Sequence, residues 1–458
     1  MSFDDLLSRY ISLEPHPVGR SKCVARNSFA AGSTILSNLS FVDALLPSEK
    51  GHRCDYCHHH AGPGSLKKCT GCASFYYCDQ TCQNKHWKSG HRKICKTYNS
   101  YTSASSFQAL DQHKKMDALL LSGLVARVAL LDVNERNSEE NQAFLTFQSL
   151  LPGPMAAAAP PINPKHSFSA EFIQNLYSRF ENNNHTIHSH FVTHAHGIFP
   201  LASRSFNHSC MPNAAVKFVL QVHEPVKMEI VALRAISIGD EICIPYIDPA
   251  LLQTRMSVFD LTYGFTCFCP SCNVIRKLGN IPEPPKDTPD FQAVCKRLRE
   301  FVGTMEPSPL FTGDDSLFPK GLACVLHESF ISTLSEQFSA ASHDGQYDVA
   351  LDSSASLTAL YQLIYPPNYP QIGKYFARTF GSQYSFCQCH LIGLHFLEMA
   401  KSCWNHKVRS TAEVSIVTEL GRSIAAARKI LTVIGNEGDP DYGPLVELST
   451  LSEAMKNL

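Results

Sequence analysis

Apolar residues are spaced in two ways along this chain, and the changes of spacing divide it. Over 107–133 they recur every three to four positions, which predicts one long amphipathic helix. A loop follows over 152–165, where Pro-Gly-Pro-Met, four alanines and Pro-Pro succeed one another. A second helix is predicted over 169–180, closing on Glu181-Asn182-Asn183-Asn184. From 198 to 246 the pattern becomes short apolar runs broken by turns, at 214–222, 228–233 and 242–246, the last entered through Gly239-Asp240-Glu241. These read as strands of a small β domain. Two further short strands are predicted over 19–25 and 29–36, joined by a turn at Ala31-Gly32, after a short helix at the start. Proline-rich residues 281–289 mark a boundary. Beyond it helical spacing returns, near 290–304, 321–340, 347–364, 386–404, 411–434 and 443–457.

Composition narrows the class. With 458 residues, 44% hydrophobic and 18% charged, the chain can bury two or three cores. Its formal net charge is -1. That argues against a partner held by bulk electrostatics, such as duplex DNA, so nucleic acid is not expected. The first residues lack the basic head and apolar run of a signal peptide. The most apolar helix, 116–131, is interrupted by Arg127 and too short for a bilayer. A soluble, intracellular protein with no membrane partner is expected. In a reducing compartment 18 cysteines point to metal ligands rather than disulfides.

Most of those cysteines fall in two places. Residues 54–95 carry Cys54-x2-Cys57, Cys69-x2-Cys72, Cys78-x3-Cys82 and His91-x3-Cys95. Eight ligands in four close pairs suit two closed, tetrahedral, structural zincs, and so small a segment needs such a staple. The spacing does not say which pairs share a metal, and His86 and His58-His59-His60 are rival ligands, read as solvated. The second place is Cys267-x-Cys269-x2-Cys272, three thiols whose fourth partner is Cys210, in Asn207-His208-Ser209-Cys210-Met211-Pro212-Asn213. A third zinc there would tie the later cysteine arm over the Asn-His pair. Around Trp87, the basic Lys85, Lys88, Arg92, Lys93 and Lys96 read as a solvated face, or as a shallow groove for a peptide or a phosphate backbone with Trp87 as its aromatic contact. His185, His188, His190, His194 and His196 read as surface and packing residues. Cys295, Cys324, Cys387, Cys389 and Cys403 read as core.

The array, with Tyr77-Cys78 and Cys82-Gln83 before Trp87, resembles the MYND zinc finger. There pairs one and three share one zinc and pairs two and four the other, with His91 as ligand. Gly19-Arg20, the array, Asn207-His208-Ser209-Cys210-x-Pro-Asn213, Ile244-Pro245-Tyr246 and the Cys267 to Cys272 motif together resemble the SET-and-MYND family of protein lysine methyltransferases. The resemblance spans about 14–275 and extends more weakly to the helical tail, tetratricopeptide-like in that family. It implies an α+β fold, a SET-type β fold interrupted by the finger and a helical insert. The expected divisions are 1–53, the first part of the SET domain; 54–95, the finger; 96–185, the helical insert; 186–249, the core of the SET domain; 250–280, the cysteine-rich post-SET segment; and 285–458, an all-α domain.

The same resemblance implies methyl transfer from S-adenosylmethionine to a lysine of a histone or other protein. Asn207 and His208 would hold the cofactor, with Gly19, Arg20, Asn183 and Phe265 around it, and Tyr246 would stand at the transfer point. Tyr263 would line the lysine channel. Eight finger ligands and Cys210, Cys267, Cys269 and Cys272 would hold three structural zincs, and MYND fingers elsewhere bind peptides. A monomer in nucleus or cytoplasm is expected. The chemistry suits these residue types. A lysine attacks only when neutral, and deprotonating it at pH 7 costs roughly 4–5 kcal/mol. An aromatic channel desolvates the ammonium and lowers that cost, and in-line alignment does the rest. One departure stands out. The family usually has a second glycine soon after Gly-Arg, whereas here Ser21-Lys22-Cys23 follows, with a cation near the expected sulfonium. It favours the alternative reading, a catalytically weak adaptor that binds protein partners.

Overall fold

A computed structural model describes residues 9–16, 19–62, 64–132, 138–153, 158–190, 192–304, 308–369, 392–409 and 414–456. The short helix expected at the very start, and Cys387 and Cys389, lie outside them. Twelve short strands follow in chain order: β1 (Ile11–Glu14), β2 (Lys22–Ala25), β3 (Thr34–Leu39), β4 (Val42–Leu45), β5 (Lys67–Lys68), β6 (Tyr76–Tyr77), β7 (Asn184–Ser189), β8 (Val192–Ile198), β9 (Asn207–His208), β10 (Ala214–Val219), β11 (Lys227–Ala232) and β12 (Cys243–Ile244). They pair as small sheets: β1 with β2, β10-β11-β3, β4-β8-β7, the finger hairpin β5-β6, and the parallel couple β12-β9. The two strands expected near the start do form, but they do not pair with each other. β2 turns back on β1, which periodicity missed, and β3 joins β11 instead. Gly32, with φ of 86°, supplies the turn between them.

One core lies between these sheets, built from Leu36, Phe199, Phe206, Phe218, Ile230 and Ile244 among others. Lys217 and Glu229 pair across β10 and β11 at 3.4 Å. The long helix begins later than its pattern suggests, at Gln112–Val128. Asp111 caps it through the Lys114 amide, and Ser105–Gln108 forms a separate turn. The second predicted helix runs over Ala170–Phe180, capped by Ser169. It packs with the first around Phe147, Leu121 and Ile198.

Beyond residue 285 the described elements are helices, chiefly Thr288–Thr304, Glu328–His343, Tyr347–Ile364, Ile392–Arg409, Val414–Ile434 and Pro444–Met455. Cys295 and Cys324 are buried in their main core and Cys403 in a second one. Missing from the sequence reading are the short helix Pro200–Ser205 and the helix Pro270–Leu278, which Cys269 caps through the Cys272 amide.

The helical region is fastened to the sheets by polar bonds, some of them buried. Tyr365 Oη donates to Asp248 Oδ1 at 2.8 Å. Glu328 Oε1 accepts from the Gln253 and Thr254 amides. Asp439, on the loop before the last helix, accepts from Arg53, Ser189, Tyr442 and the His60 amide.

Candidate functional site

The parallel pairing of β9 with β12 builds the site. Cys243 lies opposite Asn207 and Ile244 opposite His208, so Tyr246 emerges two residues past the pair. Asn213 staples the two segments, donating to Glu241 O and accepting from the Cys243 amide through Oδ1. Asn207 commits both amide hydrogens, to Ser21 O at 2.8 Å and to Glu241 Oε1 at 2.9 Å. Its Oδ1 is therefore the atom able to accept from a ligand. His208 Nδ1 accepts from the Tyr246 amide at 2.9 Å, which assigns the ring proton to Nε2, 3.3 Å from Cys210 Sγ. Burial lowers the ring's pKa, in keeping with a neutral imidazole.

Tyr246 Oη donates to Phe206 O at 2.7 Å, so the phenol is held by the backbone just before Asn207. Its ring lies 5.3 Å from that of Tyr263 and 6.4 Å from that of Phe265, centroid to centroid. Phe259, which sequence reasoning did not single out, stacks on Phe265 at 5.1 Å and lies tilted against His208 at 4.4 Å. Its signal was only an apolar position beside Tyr263. Tyr246, Tyr263 and Phe265, with Gly19, Arg20, Asn183, Asn207 and His208, border one cavity of about 740 Å³, within the range of small-molecule sites. Asn183 Nδ2 donates back to Arg179 O, and Arg20 bonds to Ser149 O. Asn182 Nδ2 donates to Thr262 O, tying the insert to the segment that carries Tyr263.

Lys22, the residue that troubled the cofactor assignment, does not border the cavity. It pairs with Glu14 across the β1–β2 register at 3.6 Å. Ser21 turns its hydroxyl to Arg204, at 2.7 Å from Nη1.

Three sets of four ligand atoms converge, each within 4.8 Å: Cys54, Cys57, Cys78 and Cys82; Cys69, Cys72, His91 and Cys95; and Cys210, Cys267, Cys269 and Cys272. Each set can hold zinc with no position left open. The first two are the interleaved pairing that the resemblance implied. A fourth grouping, Asp79, Cys82 and His223, shares Cys82 with the finger. There His223 Nε2 meets Asp79 Oδ2 at 2.7 Å and Lys85 bonds His223 O, docking the finger on the β10–β11 turn. His58 is not solvated as its run of three suggested. It has φ of 57° and turns its ring inward onto Asp43 at 2.9 Å. His86 meets Tyr77 Oη at 3.0 Å. His188 and His194 are buried packing residues. Trp87 is 41% exposed.

Behind the third set lies Arg255, fully buried, donating to Pro249 O and Ser271 Oγ at 2.7 Å each. Burial works against its charge, and the neighbouring Cys210, Cys272, Cys269 and Cys267 hold its pKa up, so it would serve as a counter-charge if those thiols bind metal. A mid-sequence arginine flanked by Thr254 and Met256 carries no signal of this. Among the described residues no helix is long and apolar enough to cross a membrane.

Residues 22–247 match the SET domain family model. The chain is 30% identical over 276 residues to the histone-lysine N-methyltransferase ASHR1 of Arabidopsis thaliana, covering 58% of this chain and 55% of that protein. It is 27% identical over 280 residues to the N-lysine methyltransferase SMYD2-A of Xenopus laevis, covering 57% and 61%. With the N-lysine methyltransferase SMYD2 of Bos taurus it shares 25% over 338 residues, 69% and 75%. The matches thus span less than two thirds of the first two relatives.

Proposed function

We propose that this chain, whose residues 22–247 match the SET domain family model, is a protein lysine N-methyltransferase using S-adenosylmethionine. The observation that carries the proposal is the aromatic group Tyr246, Tyr263 and Phe265 bordering one cavity with Asn207 and His208. A cavity of about 740 Å³ whose edge carries an unspent amide oxygen on Asn207 fits such a cofactor.

Asn207, His208, Gly19, Arg20, Asn183 and Phe265 would hold S-adenosylmethionine, which when bound supplies a methyl group on a sulfonium. Tyr246 and Tyr263 wall the channel for the acceptor lysine. Excluding water there favours the neutral amine over the ammonium. The bond from Tyr246 Oη to Phe206 O keeps the phenol from turning, so its lone pairs face a fixed direction. No acid–base pair is required, since the solvent-equilibrated lysine gives up its proton before the transfer. Cys210, Cys267, Cys269 and Cys272 would hold a structural zinc, with His208 Nε2–H bonded to the ligand sulfur of Cys210. That bond passes the rigidity of the metal to the cofactor's seat. Two more zincs would build the finger over 54–95, whose exposed Trp87 would contact a peptide partner. In this reading 1–53 and 186–249 form the SET fold around the insert 96–185, and 250–280 closes it. The helical region 285–458 braces it from behind.

The adaptor alternative rested on Gly19-Arg20-Ser21-Lys22 and its lack of a second glycine; Lys22 pairs with Glu14 and stays off the cavity, which speaks for the enzyme. The test is transfer of a labelled alkyl group from a clickable S-adenosylmethionine analogue to proteins of a cell extract, with mass spectrometry of the modified residue. Labelled lysines that vanish with a Tyr246→Phe enzyme are expected. No labelling above a heat-killed control would overturn the proposal.

A further inference from the structure

Two arginines border the cavity without a carboxylate partner. Arg20 bonds the carbonyl of Ser149, and Arg204, half-buried on the short helix Pro200–Ser205, bonds among the described residues only the hydroxyl of Ser21. Neither forms an ion pair among the described residues. Glu241 is the one carboxylate bordering the cavity among the described residues, and its Oε1 already accepts from Asn207. Burial, and then the charge of Arg20, hold the Arg204 guanidinium below its ordinary pKa. Two cations set close together at a concave wall, with no anion of the chain between them, favour a ligand that brings one.

Which anion follows from Ser21. Its carbonyl accepts from Asn207 Nδ2 at 2.8 Å while its hydroxyl accepts from Arg204 Nη1 at 2.7 Å. One residue thus sets Asn207 and Arg204 side by side, at the end of the cavity where the Gly19-Arg20 segment enters. We infer that Arg204, seated by Ser21 and helped by Arg20, is a cofactor-binding residue that takes the α-carboxylate of the nucleoside amino acid, while Asn207 Oδ1 accepts from its ammonium. The inference rests on the methyltransferase reading. It gives a use to the serine that stands where a second glycine was expected: the hydroxyl holds the guanidinium in place.

The test measures binding to the zinc-loaded full chain by calorimetry, with two probes. S-adenosylhomocysteine carries the amino-acid end, and 5′-methylthioadenosine keeps the nucleoside but lacks it. The wild type is expected to prefer the first. Arg204→Gln, which keeps a polar side chain but removes the charge, should weaken S-adenosylhomocysteine at least 10-fold, the weight of a charge-assisted hydrogen bond. It should change methylthioadenosine less than 2-fold. Arg204→Lys should recover part of the loss. An Arg204→Gln chain that binds both probes as the wild type does overturns the inference. So does equal weakening of both, which would make Arg204 a structural residue. If the loss appears instead only in the KM for a substrate peptide, the anion is an acidic side chain of the substrate and the inference falls. A wild type that binds neither probe sinks the methyltransferase reading itself.

Discussion

Replacing Asp439 with asparagine tests whether one buried carboxylate fastens three parts of the chain. Its Oδ2 accepts from Arg53 Nη1 at 2.8 Å, Ser189 Oγ at 2.8 Å and Tyr442 Oη at 2.7 Å, and its Oδ1 from the His60 amide at 3.0 Å. Arg53 and His60 flank the finger's first pair of cysteines, and Ser189 ends β7. Gly438 has φ of 73°, and a Cβ there would fall 2.2 Å from Ser189 Oγ, so no side chain fits beside the carboxylate. These donors lower the Asp439 pKa from 3.8 to about 2. Burial acts against the shift, and the bonds from Tyr442, His60 and Arg53 outweigh it. A shift of that size corresponds to roughly 2 kcal/mol favouring the ionised form. The folded pKa is depressed, so this stability is complete above the unfolded value near 4 and is lost as pH falls through 4 towards 2. Asp439→Asn should therefore raise amide exchange at 188–190 and 437–443 about 30-fold, equally at pH 6 and pH 8 after division by the wild-type rate. Asp439→Ala, which removes every one of these acceptors and leaves Arg53 only Glu49 as a carboxylate, should cost more than the asparagine. A ratio below 3-fold, or one that changes between pH 6 and pH 8, would refute the reasoning.

Tyr246→Phe deletes the hydroxyl that bonds Phe206 O, and methyl transfer should fall on the order of 10²-fold with an unchanged melting temperature; unaltered turnover would remove the hydroxyl from the mechanism. Arg255→Met takes a buried cation from behind four thiolates, so metal analysis should read close to two zincs per chain instead of three; retention of the third contradicts the counter-charge role. Tyr365→Phe loses the bond to Asp248, worth about 1 kcal/mol. Turnover should slow several-fold while the affinity for S-adenosylhomocysteine stays constant, because Asp248 lies two residues past Tyr246; a change confined to cofactor affinity would count against it.

Much of the site was legible because its chemistry is local. Cysteine pairs two or three residues apart can grip a metal wherever the chain goes, so all twelve ligands followed from spacing and resemblance, and the structure gathers them in three fours. Tyr246 was legible only through the family resemblance; that its strand runs beside Asn207-His208 came from the pairing of β12 with β9. Arg204, Arg255 and Phe259 were not, because nothing about a single arginine or phenylalanine says what it will face. The orientation of Lys22 was unreadable for the same reason: a strand sends alternate residues to opposite sides, and only its pairing with β1 shows which side is which.

From its residues alone this protein determines its longer helices, five of its twelve described strands and the close cysteine pairs, since each depends on neighbours within a few positions. Tertiary structure alone decided which strands pair, which histidines are buried, and that Asp439 meets Arg53 across 386 positions of chain. Those contacts depend on how separate segments share one interior, where a buried charge must find its partner or remain in water.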